Sequence, residues 1–175
     1  MPLLFRKATM ADAPGIAAIY DAIHTQEEQG LTTTGWVRSI YPTEATARAS
    51  IQQGEMFVAT EDEHIVAAAK INQEQVAEYP LAAWQHPAPD ETIMVLHTLV
   101  VDPAEKGQGI GSRFVAFYEG FAQEHSCPYL RMDTNARNTA ARRLYKKLGY
   151  EEVGIVPCVF NGIEGVQLVC LEKKI

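Results

Sequence analysis

Cysteine is scarce in this chain and badly placed for cross-linking. Cys127, Cys158 and Cys170 are odd in number and widely spaced. No Cys-x-x-Cys pair occurs, and no neighbouring histidine completes a zinc site, so neither a disulfide framework nor a structural metal is expected. The three read as reduced thiols of a cytoplasmic protein. Long hydrophobic runs are also missing. No window approaches the roughly 18 continuous apolar residues of a membrane span, and the opening Met-Pro-Leu-Leu-Phe-Arg-Lys lacks the apolar core of a signal peptide, so neither insertion nor export is expected. Positive charge is in deficit. Fifteen Lys and Arg face twenty-two Asp and Glu, a net charge of -7. That sign opposes nonspecific attraction to nucleic acid or anionic lipid. A cationic substrate suits the field better, although the same charge serves solubility.

What is present suits one ordinary globular domain. The 175 residues are 47% hydrophobic and 21% charged, long enough to bury most of the surface of the unfolded chain. No internal repeat or low-complexity stretch divides them. Leu3 to Ala8 reads as a strand, and Thr9-Met-Ala-Asp12 as a capping box that opens a helix through Ile16, Ile19, Tyr20 and Ile23, closing near Gly30. Thr43 caps a second helix that ends at Gly54, which leaves Leu31 to Tyr41 as a connection. Met56 to Thr60 and Ile65 to Ile71 are strands joined across Glu61-Asp-Glu-His64. Asn72 to Glu91, with Pro80, Pro87 and Pro89, is a loop, and loops of that length in compact domains tend to be functional.

Ile93 to Val101 is near-continuously apolar, as a central strand buried on both faces would be. Ile110 to His125 follows as a helix with Phe114, Val115, Phe117, Tyr118 and Phe121 inward. Tyr129 to Thr134 is a strand and Asn138 to Lys147 a helix ended by Gly149. Glu152 to Phe160 and Val166 to Glu172 form a hairpin across Asn161-Gly162. The order β-α-α-β-β-β-α-β-α-β-β predicts an α/β fold, a mixed central sheet of about seven strands with four helices on its faces.

The chemistry concentrates between the apolar strand and the amphipathic helix, in Asp102-Pro-Ala-Glu-Lys106-Gly107-Gln108-Gly109-Ile110-Gly111-Ser112. Three glycines in five positions at a helix N-terminus let backbone N–H groups approach an anion closely, and Lys106 adds a charge. A plain strand-to-helix turn is the structural alternative. The dinucleotide fingerprint needs G-x-G-x-x-G, but position 112 is Ser. The P-loop needs Gly-Lys-Ser/Thr at its end, which is absent.

The run Leu99-Val-Val-Asp-Pro-Ala-Glu-Lys-Gly-Gln-Gly-Ile-Gly-Ser112 instead resembles the pyrophosphate loop of the GNAT N-acetyltransferase superfamily, Q/R-x-x-G-x-G/A, with Lys106 in place of the commoner Arg or Gln. A second segment, Asp133-Thr-Asn-Ala-Arg-Asn138-Thr-Ala-Ala-Arg-Arg-Leu-Tyr145-Lys-Lys-Leu-Gly-Tyr150, is similar to the family's N-x-x-A-x-x-x-Y-x-x-x-G-F/Y helix. The specific part of the resemblance spans residues 95 to 150.

The resemblance implies a single GNAT domain over residues 1–175 that carries the acetyl group of acetyl-CoA to a primary amine, expected to belong to a small molecule, by direct attack in a ternary complex. It implies that the backbone of Leu99, Val100 and Val101 pairs with the pantetheine arm. Lys106, Gly107, Gln108 and Gly109 would then hold the pyrophosphate, together with Ile110, Gly111 and Ser112. Asn138 would bind the pantetheine arm, and Tyr145 would protonate the departing thiolate. His97 resembles a catalytic histidine of the arylalkylamine acetyltransferases, with Val95 where those enzymes carry a second. Strand alternation places His97 on the face of Leu99 and Val101, as a general base or else a core residue. Arg142, Arg143, Lys146 and Lys147 are candidates for the 3'-phosphate or a solvated helix end. Trp36, Tyr41, Tyr79 and Trp84 are expected near the acceptor pocket or in the core. A non-catalytic acyl-CoA sensor and a peptide acetyltransferase are the competing readings, and a homodimer is suggested by analogy.

Overall fold

A computed structural model describes residues 2–175. Its strands are β1 (Leu4–Lys7), β2 (Met56–Glu61), β3 (His64–Asn72), β4 (Ile93–Val101), β5 (Tyr129–Asn135), β6 (Glu151–Phe160) and β7 (Ile163–Lys174). Four helices complete it: α1 (Ala13–Glu28), α2 (Glu44–Gln52), α3 (Ile110–Glu124) and α4 (Thr139–Lys147). The expected order of elements is the observed one. The last hairpin is longer than expected, because β7 runs from Ile163 to Lys174, with Asn161 and Gly162 both at positive φ in the two-residue turn.

The seven strands form one sheet in the order β1-β2-β3-β4-β5-β7-β6. Every neighbouring pair is antiparallel except β4 and β5, which run parallel. Helix α3 covers one face, where Phe114, Val115 and Tyr118 bury against Met94, Leu96 and Met132. Tyr118 spans the central strands by donating its hydroxyl to the Met94 carbonyl at 2.6 Å. Helices α1 and α2 cover the other face with Ile16, Ile19 and Ile51 over Val58, Ala68 and Val100. A third cluster packs the loop after β3 against the last hairpin, with Tyr79 fully buried among Ile93, Val95 and Cys170.

That loop is long but tethered. Arg131 donates to Gln75 Oε1 at 2.6 Å and lies 4.0 Å over the Trp84 ring. Glu172 accepts from the Gln85 backbone N–H at 2.5 Å. A buried cation and a buried carboxylate are thus met by loop donors, acceptors and an aromatic face, which offsets part of their desolvation cost and fixes the loop, although Arg131 Nε stays without a partner among the described residues. The three cysteines are free and buried. Among the described residues, no helix is long and apolar enough to cross a membrane.

Candidate active site

Two features of β4 create the site. Its parallel pairing with β5 covers only Ile93–Leu96 against Tyr129–Met132, and beyond Leu96 the strands part. The edge of β4 past Leu96 therefore has backbone groups that β5 does not use. In addition, β4 carries one extra residue relative to β3: Lys70 pairs with His97, but Ala68 pairs with Val100. Thr98 takes up the excess at φ 51, a rare conformation for a β-branched residue.

A cleft of about 570 Å³ opens where the strands part. Lys106, Gly107, Gly109, Gly111 and Ser112 line it, together with Asn138 and Tyr145. Gly107 and Gly109 stand at φ 87 and 72, and a Cβ built on either meets nothing within 4 Å. These two glycines are therefore required by backbone conformation and leave open space above the loop. Among the described residues no side chain caps the N-terminus of α3, so its first N–H groups, along the cleft, are left for a ligand. Gln108 turns aside and donates to Glu105 Oε2 at 2.7 Å, and it does not line the cleft.

Asn138 caps α4 by accepting from the Ala141 N–H at 3.2 Å, which leaves its amide nitrogen for a ligand. Tyr145 is 7% exposed, and among the described residues its hydroxyl has no protein hydrogen-bond partner. Burial, reinforced by the charge of Asp133, holds that phenol protonated well above its ordinary value.

His97 is not on the face of Leu99 and Val101. The extra residue at Thr98 resets the alternation, so Leu99 and Val101 pack towards α3 while His97 sits across from Lys70 on the α1 and α2 side. There it lines a second cavity of about 560 Å³, which also receives Tyr20, Ser50, Glu78 and Tyr41. Tyr41 hydrogen-bonds Thr98. Burial and the Lys70 charge depress His97 to about 4, against weaker opposing pulls from Glu55 and the Glu74 backbone. The ring is thus neutral at pH 7.

The two cavities share Thr98, Asp133 and Phe160. Asp133, first residue of the second sequence motif, accepts from the buried Tyr79 hydroxyl at 2.6 Å. Burial raises it to about 6 over the opposing effect of that hydrogen bond. Sequence reasoning passed over Asp133, because nothing local marks it as the place where loop, strand and both cavities meet.

Other expected residues fall elsewhere. Trp36, expected near the acceptor pocket or in the core, lines the first cleft with Thr32, Thr33 and Thr34 of the same connection. Thr33 donates to the Arg137 carbonyl at 2.8 Å and Glu27 accepts from the Thr34 N–H at 2.8 Å, so the connection is fixed over the cleft. Trp84 belongs to the loop anchor and Tyr79 to the core. Arg142 is paired with Glu152 at 2.8 Å, and neither it nor Arg143, Lys146 or Lys147 lines the cleft.

The profile of the Acetyltransferase (GNAT) family matches residues 17–150. The chain belongs to the GNAT acetyltransferase family. It is 30% identical over 105 residues to the uncharacterized N-acetyltransferase YesJ of Bacillus subtilis, a match over 60% of this chain and 57% of that one. The chain thus spans little more than half the length of that curated relative. In solved structures it is similar to a GNAT-family acetyltransferase of Streptococcus agalactiae, with a TM-score of 0.81 and 22% identity over 99% of this chain and 95% of that one. It is also similar to the YncA acetyltransferase of Salmonella typhimurium, solved with its cofactor acetyl-CoA, with a TM-score of 0.70 and 17% identity over 99% and 94% of the two chains.

Acetyl-CoA is the cofactor this GNAT fold implies, and the residues here fit it. The open loop over Gly107 and Gly109 and the uncapped α3 N-terminus suit a pyrophosphate. The unpaired β4 edge suits an amide-bearing arm.

Proposed function

We propose that this GNAT domain acetylates the primary amine of a small molecule, the amine attacking directly while both substrates are bound. The observation that carries the reading is the meeting of two cavities at Thr98, Asp133 and Phe160, one built for the donor and one walled by the long loop for the acceptor. Acetyl-CoA supplies a thioester as the activated acyl group.

The protein's residues do the rest. Lys106, the glycine loop and Asn138 hold the donor, while the backbone of Leu99 to Val101 orients the acyl end. A backbone N–H aimed at the acyl oxygen stabilises the charge that develops there. Asp133, ionised at pH 7, attracts the incoming ammonium to the junction. His97 takes a proton from it, since an unperturbed alkylamine near pKa 10.4 is almost wholly protonated at neutral pH. Tyr145, kept protonated by burial, gives its proton to the leaving sulfur. Support for a small molecule comes from the second cavity. Its wall is the loop that Arg131 and Glu172 tether to the sheet.

A thiol-release assay over alkylamines, amino acids, polyamines and aminoglycosides, run beside a digest of cellular proteins with labelled acetyl-CoA, tests the reading. Release is expected with one class of small amine and little label in peptides. Abundant labelled peptides would move the acceptor to protein, and binding without release for any acceptor would favour a sensor.

A further inference from the structure

His97 does not stand alone in the acceptor cavity. Its Nε2 lies 2.7 Å from Asn72 Oδ1. Asn72 is buried at the end of β3, one step along the same face from Lys70, the cross-strand partner of His97. The direction of this contact follows from the other contacts of the amide. Asn72 Nδ2 donates to Glu55 Oε2 at 3.0 Å, and Asn72 Oδ1 accepts from the Glu74 backbone N–H at 3.0 Å. Turning the amide over would set its NH₂ against a backbone N–H and its oxygen against a carboxylate, losing both bonds and adding two repulsions in a buried place. The amide is therefore locked with its oxygen towards the imidazole. An oxygen at 2.7 Å can be met only by an N–H, so Nε2 carries the ring proton.

We infer that Asn72, held by Glu55, is a positioning residue that fixes the tautomer of His97, so that Nδ1 is the atom that accepts the proton of the incoming amine. The inference rests on the reading of His97 as the base. Two further observations agree with it. His97 lines the acceptor cavity, so its ring can be reached from there. Glu55 also lies 3.5 Å from Lys70 Nζ, so one carboxylate orients the amide and balances the nearest cation.

The step balances simply. One N–H bond of the ammonium breaks as a bond to Nδ1 forms, the nitrogen lone pair is freed, and the ring becomes an imidazolium that still donates Nε2–H to Asn72. The proton then leaves to water through the cavity. The charged and titratable groups around the ring are Lys70 from β3, Glu55 before β2, Glu74 and Glu78 from the loop, Asp133 from β5, and Tyr20 and Tyr41 from the α1 side. Glu55 is the carboxylate tied through Asn72 to the ring nitrogen, and it favours the imidazolium.

The test is a long-range ¹H–¹⁵N correlation spectrum of the histidine rings in the intact protein, with His97 assigned by loss of its signal in His97→Gln. The expected result is an unprotonated Nδ1 and a protonated Nε2 near neutral pH. A protonated Nδ1 with a bare Nε2 would overturn the inference, and this readout needs neither turnover nor a known acceptor. Asn72→Ala should give mixed tautomers and lower kcat about tenfold, with the KM for acetyl-CoA unchanged. Asn72→Asp combined with Glu55→Gln keeps an acceptor against Nε2–H and replaces the carboxylate that the new oxygen would face with an amide donor. It should recover most of kcat and move the acid limb of the pH profile upward by about a unit. Retained kcat and an unmoved tautomer in Asn72→Ala would also overturn it. Absence of thiol release from the parent with every amine would instead strike the acetyltransferase reading, leaving the tautomer result to stand by itself.

Discussion

Replacing Tyr145 by Phe is expected to lower kcat on the order of 10²-fold while the affinity for acetyl-CoA stays nearly constant. The substitution removes one oxygen and keeps the ring that packs in the α3 cluster, so folding should be little affected. It is the oxygen that matters in this account. Among the described residues the hydroxyl has no protein partner; it lies on the donor cleft and is held protonated by burial and by Asp133, which leaves it as the proton source for a departing thiolate. Steady-state kinetics with titration of acetyl-CoA checks both halves. An unchanged kcat would return Tyr145 to the core.

The second large effect is expected at Asp133, with opposite signs for stability and activity. Burial raises this carboxyl from the ordinary aspartate value to about 6, so the folded protein binds its proton more tightly than the unfolded chain does. That contribution to stability is present below about pH 4 and is lost as pH rises through 6. At pH 8 the parent carries a buried charge that Asp133→Asn lacks. The variant should then be more stable by on the order of 2 kcal/mol, with the gap closing towards pH 4. Tyr79 can still donate to the Asn oxygen, so the core hydrogen bond is kept. The specificity constant for the amine should fall by about 10- to 100-fold through loss of the charge that receives the ammonium. Urea unfolding at pH 4.5 and pH 8 and kinetics at pH 8 read the two effects. A variant less stable than the parent at pH 8, or as active, would contradict the role given to Asp133.

How far the sequence disclosed the site depended on whether the cause was local. Gly107 and Gly109 were legible because positive φ is a requirement of the residue itself, and the loop they form sits between two strongly patterned elements. The motif from Asn138 to Tyr145 was legible through its resemblance to the family's helix, with a seven-residue spacing that agrees with one helix face. The face of His97 was not. It depends on one inserted residue at Thr98, and threonine is among the residues least expected at positive φ, so the pattern of β4 reads as an unbroken strand. The role of Asp133 was hidden too. Tyr79 and Asp133 lie 54 residues apart and meet through the packing of the loop on the sheet, where Tyr79 is buried and Arg131 and Glu172 add tethers. The α1–α2 connection was expected beside the acceptor. Tyr41 does reach the second cavity, but Thr32 to Trp36 lie over the donor cleft, fixed by Thr33 and Glu27 through bonds that the threonine-rich sequence does not announce.

The account stands or falls on the donor cleft, and calorimetric titration of the purified protein with acetyl-CoA, beside Gly109→Ala, tests it most directly. The parent is predicted to bind one equivalent. Gly109→Ala is predicted to bind about tenfold more weakly or worse, because a Cβ at φ 72 costs roughly 1–3 kcal/mol or reshapes the loop. No binding by the parent, or equal binding by the two, would contradict the assignment of the glycine loop as the place where the donor is held.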